Sequence, residues 1–171
     1  DTAEISVKAA LTGHLVLSTL HTNDAPSTIT RLVNMGIPNY LLTSCLCLIV
    51  AQRLARVICP NCKIDDPDGT PEKLSALGFS AEKSKTVKAK KGSGCDKCMQ
   101  MGSKGRRGIH EVLTITKNVK LAMLQGVSDM ELGEIAVKKD GFITMQERGR
   151  QLIEEGVMSI EEYERNLVVD D

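Results

Sequence analysis

Aromatic side chains are nearly missing from this sequence: two Phe, two Tyr and no Trp make up 2% of its 171 residues. Its core must therefore be aliphatic, built from Leu, Ile, Val and Met. Surfaces that hold nucleic acid by stacking bases on aromatic rings have almost nothing to be made from. A charge excess is missing too. Lys and Arg number 22 and Asp and Glu number 22, whereas phosphate neutralisation normally demands a basic surplus. Long apolar runs are also lacking. The longest, Leu41 to Ala51, is interrupted by Thr43 and Ser44 and stops at Gln52 and Arg53, short of the ~20 residues a membrane span requires. The first residues, Asp1-Thr2-Ala3-Glu4, are not the basic, then apolar, opening of a signal peptide. A soluble cytoplasmic protein is expected. With no initiator Met and a helix beginning at once, the sequence reads as a piece of a longer chain.

The 42% hydrophobic content is enough for a real core. Residues 2 to 11 read as a short helix, with Asp1 as cap and Glu4 at the capping-box position. His14 to Leu20 reads as a buried strand, short, apolar and bounded by turn residues. Pro26 suits the first turn of a second helix capped by Asn23 or Asp24, ending at Gly36. A long helix is expected from Pro38 to about Ile58, with Leu41, Leu42, Cys45, Leu46, Ile49 and Leu54 on its apolar face. Gly108 to Leu113 reads as a strand. Beyond it, Ser128 with Glu131, Thr144 with Glu147, and Ser159 with Glu162 have capping-box spacing, and Gly126, Gly141 and Gly156 stand where helices should stop.

Residues 59 to 98 differ in kind, with three of the five prolines and a run of lysines from Lys83 to Lys91. They also hold Cys59-Pro-Asn-Cys62 and Cys95-Asp-Lys-Cys98, two C-x-x-C pairs separated by 32 residues. Two intervening residues let both sulfurs of a tight turn point at one ion, and two such turns complete a tetrahedral thiolate set suited to structural zinc. Disulfides, free thiols and a rubredoxin-type iron site are the alternatives. A cytoplasmic setting disfavours the first, and the scarcity of aromatics disfavours the last. Cys45 and Cys47, two apart on the expected helix, read as core residues rather than ligands, and Met99 and Met101 read as packing residues. The lysine run reads as a solvated face, with contact to anionic lipid or an acidic protein patch as the functional alternative.

The stretch Gly13-His14-Leu-Val-Leu-Ser-Thr-Leu-His21-Thr22-Asn23 ends an expected strand in polar groups, where open α/β sheets bind ligands. On pattern alone a histidine there is better explained as a satisfied structural residue. However, this stretch resembles the histidine box of the type II secretion and type IV pilus assembly ATPases. Ala51-Gln52-Arg53-Leu54-Ala55-Arg56 before the first cysteine pair is similar to the same family. So are the second pair and the strand Gly105-Arg106-Arg107-Gly108-Ile109-His110-Glu111. The order is the same and nearly the whole chain is covered. The cysteine insert points to secretion or pilus-extension members, since retraction-type members generally lack it.

The resemblance implies an α/β fold. It would be the C-terminal part of a RecA-like ATPase core over 1–58, a tetracysteine zinc module over 59–98, and a return strand with a C-terminal helical region over 99–171. It implies that His21 senses the γ-phosphate of ATP and that His14 is the other histidine of the box. Asp1 would follow the acidic Walker B segment. Beside these, Thr22 can add a hydroxyl at the same strand end, which makes it a candidate nucleotide contact, and Arg107, with Lys104 and Arg106, is placed to face either a nucleotide or an adjacent subunit. The parent would be a hexameric motor hydrolysing ATP with Mg2+, partnered by identical subunits and an inner-membrane platform protein. It would be peripheral to that membrane, without a transmembrane segment or nucleic acid. This chain nevertheless contains no G-x-x-x-x-G-K-[ST] and no Walker B segment. Nothing in it cradles the phosphates or holds magnesium, so alone it should not hydrolyse ATP. A zinc-ribbon nucleic-acid module and a purely structural assembly module are the rival readings.

Overall fold

The computed structural model describes residues 2–168; Asp1, with its expected capping and Walker B roles, lies outside them. In chain order the elements are α1 (Thr2–Leu11), α2 (Ala25–Asn34), α3 (Asn39–Cys45), β1 (Leu48–Ile58), β2 (Lys63–Asp65), α4 (Pro71–Ala76) and α5 (Ala81–Thr86). There follow β3 (Lys90–Gly92), a 3-10 turn at Asp96–Cys98, β4 (Ser103–Thr114), α6 (Lys117–Gln125), α7 (Asp129–Asp140), α8 (Met145–Glu154) and α9 (Ile160–Leu167). Strands pair as β1 with β4 and as β2 with β3. The chain is thus a mixed helix and strand protein. No helix among the described residues is long and apolar enough to cross a membrane.

The chain divides into two compact units, one formed by residues up to Ala51 with His110–Thr144, the other by Gln52–Ile109 with residues from Met145 on. The division passes through both long strands. In the first unit α7 packs on α6 and α2, and α3 packs on α1 and α6. Ile29, Leu42, Leu113, Val119, Met123 and Leu132 fill its core. Asp24 caps α2, its Oδ1 accepting the Ser27 N–H at 2.8 Å, as the sequence indicates. Behind it Glu111, buried on β4, accepts the Ala25 N–H at 2.5 Å. A carboxylate at this end of a helix satisfies a free N–H and meets the positive end of the helix dipole.

In the second unit, Leu74, Phe79, Ile109, Leu152, Ile153, Met158 and Tyr163 are buried. Helices α8 and α9 meet at Gly149, where an added Cβ would lie 2.3 Å from Leu167 Cδ1 and 2.8 Å from the Tyr163 ring. Ser159 caps α9, accepting the Glu162 N–H at 3.2 Å. The Glu162 carboxylate reaches across to the Arg56 N–H of β1 at 2.7 Å and to Asn166 Nδ2 at 3.0 Å, so the spacing read as a capping box also ties the helix to the strand. Ser128 caps α7, and Gly126 and Gly141 end α6 and α7 in left-handed conformation.

Two expected elements are corrected. The long helix after Pro38 is instead α3 followed by β1. Ile49, Ala51, Ala55 and Ile58 are buried on β1 while Leu48, Val50 and Leu54 are exposed. Apolar residues on both faces of a strand imitate a helical stripe, and β-branched Ile49 and Val50 tip the balance toward the strand. His14 to Leu20 is not a strand but an irregular segment, with Leu15 89% and Leu17 87% exposed. A strand exists only beside a hydrogen-bonded neighbour, and among the described residues none pairs with this segment.

Candidate metal centre

All four paired cysteines lie in the second unit. The first pair follows the end of β1. Cys62 N–H bonds back to the Cys59 carbonyl at 3.3 Å, closing the turn over Pro60 and Asn61, while the Cys59 N–H donates to the Gly102 carbonyl at 2.9 Å. The chain then leaves along β2, which pairs antiparallel with β3 in the register Lys63 to Gly92 and Asp65 to Lys90. That hairpin carries the chain back to the second pair. Ser93 binds the Cys62 carbonyl through both its N–H, at 2.9 Å, and its hydroxyl, at 3.2 Å.

The second turn is tighter. The N–H groups of Cys98 and Gln100 both reach the Cys95 carbonyl, at 3.1 and 2.9 Å. Met99 and Gln100 take positive φ, 51° and 62°, a conformation non-glycine residues adopt only where their surroundings demand it. Gly92 and Gly102 make the two halves meet, since a Cβ on Gly92 would fall 1.8 Å from the Gly102 carbonyl oxygen. Only a residue without a side chain fits there.

The outcome is convergence. Sulfur separations are 3.9 Å for Cys59–Cys95, 3.8 Å for Cys62–Cys98 and 3.7 Å for Cys95–Cys98, and all four sulfurs lie within 4.8 Å of one another. A metal–sulfur bond of about 2.3 Å sets sulfurs of a regular tetrahedron about 3.8 Å apart, so the residues fit one metal ion. None of the six cysteines is in a disulfide. Cys59, Cys62 and Cys98 are buried and Cys95 is half-buried, a closed donor set of the kind that binds structural ions.

Electrostatics within the cluster is uneven. Burial works against ionising Cys59, but the Asn61 backbone and side-chain N–H groups, with the thiols of Cys62 and Cys95, outweigh it and bring the Cys59 thiol down to about 7. Burial also opposes ionisation of Cys98, yet the N–H groups of Cys95 and Gly102 hold its value below the ordinary thiol range. Cys62 is pushed up to about 11 by burial and by its sulfur neighbours, against the Gly94 N–H. N–H donors aimed at sulfur favour thiolate, the form that binds metal.

The other candidates look different. His14 is exposed, its Nδ1 3.0 Å from Thr12 Oγ1. His21 is exposed and has no hydrogen bond among the described residues. Thr22 Oγ1 sits 2.8 Å from Thr28 Oγ1. These three belong to the first unit, and Arg107, 3.5 Å from Glu155 Oε2, to the second. Of the lysine run, Lys83 pairs with Glu154 at 2.6 Å, Lys90 with Asp65, and Lys91 with Asp66 at 3.0 Å. Cys47 is exposed and Cys45 half-buried, so neither fills the core as expected, and neither joins the cluster; Met99 and Met101 are exposed, against the packing role expected of them. Cysteine and methionine spacing alone does not show which face a residue occupies. Sequence reasoning also missed Gly102, whose carbonyl and N–H both serve the cluster. Its only signal was a glycine four positions after Cys98.

The family model for type II/IV secretion system proteins matches residues 1–165. The chain belongs to that family. Type II/IV secretion family relatives include the type IV pilus assembly ATPase PilB of Myxococcus xanthus, 42% identical over 99% of this chain and 30% of the relative. PilB of Thermus thermophilus is 42% identical over 95% of this chain and 18% of its own length. The type II secretion system ATPase E of Vibrio cholerae is 40% identical over 96% and 32%. The chain therefore spans about a third or less of these relatives.

Proposed function

We propose that this chain is the C-terminal section of a hexameric motor ATPase that powers type IV pilus assembly or type II protein secretion. The observation that carries this reading is the family match across 1–165, with relatives of both kinds near 40% identity. The parent would hydrolyse ATP with Mg2+ in the cytoplasm, against an inner-membrane platform protein. Its phosphate-binding loop and Walker B segment would come from the length of the relatives that this chain does not span. Residues 1–58 would complete a RecA-like core, 59–98 would form the zinc module, and 99–171 would add the return strand and C-terminal helical region. His21 would contact the γ-phosphate, His14 would support the box, and Thr22 and Arg107 would lie near the nucleotide.

Within that motor, Cys59, Cys62, Cys95 and Cys98 hold one structural Zn2+. Four thiolates in tetrahedral array favour zinc over harder ions, and the closed set leaves no position for a reacting water. The ion's chemistry is cross-linking: it joins two turns that sequence separates widely. The residues themselves supply the charge balance through N–H groups aimed at the sulfurs.

Steady-state hydrolysis tests the motor reading. The purified chain should show no magnesium-dependent ATP turnover, and His21→Ala in the full-length parent should abolish hydrolysis while hexamers persist. Turnover by the chain alone, lost on chelating magnesium, would overturn the first half. Unchanged hydrolysis in the full-length variant would overturn the role of His21.

A further inference from the structure

Between the ligands of the two turns stand polar side chains that are not themselves ligands. Asn61 stands between Cys59 and Cys62, and Lys97 between Cys95 and Cys98. Both are exposed, yet they meet: Lys97 Nζ donates to Asn61 Oδ1 at 3.1 Å. The other end of the same amide, Nδ2, points at Cys59 Sγ from 3.9 Å. The orientation of the amide is dictated. An ammonium can only donate, so it must face the oxygen, which turns the NH2 to the sulfur.

An exposed contact of this kind ordinarily contributes little. This one is directed at an unusual acceptor. Four thiolates around a divalent ion leave a net negative charge, and each N–H aimed at a sulfur offsets part of it. Cys98 receives backbone N–H groups from Cys95 and Gly102 and Cys62 receives one from Gly94. Cys59 receives the Asn61 backbone N–H and, in addition, the side-chain amide of the same residue, and an ammonium on the far side polarises that amide so that it donates more strongly.

We propose that Asn61 and Lys97 are positioning residues for the metal site, a relay from the second cysteine turn to a sulfur of the first that tightens zinc binding and slows its release. The relay crosses between the two C-x-x-C turns, so it also resists their separation. It rests on the zinc reading given above.

The test uses the full chain loaded with zinc and, separately, with cobalt(II). Outer-sphere partners of metal ligands commonly change affinity ten- to a hundredfold. Asn61→Ala and Lys97→Met should each raise the zinc dissociation constant about tenfold in competition with a chromophoric chelator. The double variant should be no worse than Asn61→Ala, because the lysine acts through the amide. Lys97→Arg should keep near wild-type affinity. The sulfur-to-cobalt charge-transfer band should shift in Asn61→Ala, which a change in folding stability alone would not produce. Wild-type affinity and an unchanged cobalt spectrum in Asn61→Ala would overturn the relay, as would equal losses in Lys97→Arg and Lys97→Met. A wild-type chain that holds neither zinc nor cobalt would overturn the metal reading itself, a result distinct from either.

Discussion

The cysteine cluster and the His14–Asn23 segment both stand out in the sequence, yet the structure treats them oppositely. At the cluster, bonds within each turn and a few between the two turns complete the geometry. Each turn closes on its own carbonyl, Gly92 meets Gly102, and four sulfurs converge within 4.8 Å of one another. The histidine segment is irregular and holds Leu15 and Leu17 in the open. The difference lies in where the stabilising partners are. A metal-binding turn carries its hydrogen bonds within a few residues, whereas a strand obtains its own from a neighbour.

Breaking the cluster should have the largest effect. Cys62→Ser should lose bound zinc entirely and, with it, the order of residues 59–98, read as lost amide protection in hydrogen exchange over that stretch. Protection equal to wild type would show that the cluster is not what holds the turns. Gly92→Ala attacks the same place without touching a ligand. Its Cβ would meet backbone, which cannot swing aside, so a cost of about 3 kcal/mol is expected. That should appear as a fall in melting temperature of roughly 6–12 °C.

In the first unit the effects should be smaller and local. Asp24→Ala removes the cap of α2 and should cost about 1 kcal/mol in denaturant unfolding. Leu15→Asp with Leu17→Asp should stay within about 0.5 kcal/mol of wild type, since both side chains are in solvent. A loss of several times that would show the segment to be packed and would erase the contrast between the two regions.

How much of this the sequence shows follows the same division. The C-x-x-C spacing points directly at the cluster, because two intervening residues constrain a turn irrespective of the rest of the fold. Helix caps at Asp24, Ser128 and Ser159 are legible for the same reason. The switch from α3 to β1 is not, since Leu48 to Leu54 is apolar on both faces and satisfies two periodicities at once. The irregular course of His14 to Leu20 is not legible either, because composition fixes what a segment could pair with and not whether a partner lies alongside. At the site, the ligands are visible in sequence, while Gly102 and the amide–lysine relay appear only once the turns are juxtaposed.

The most direct test is zinc K-edge X-ray absorption on the purified chain. One zinc per chain with four sulfur neighbours at about 2.3 Å is the predicted result. A stoichiometric ion ringed by nitrogen or oxygen donors, or no stoichiometric metal at all, would contradict the account.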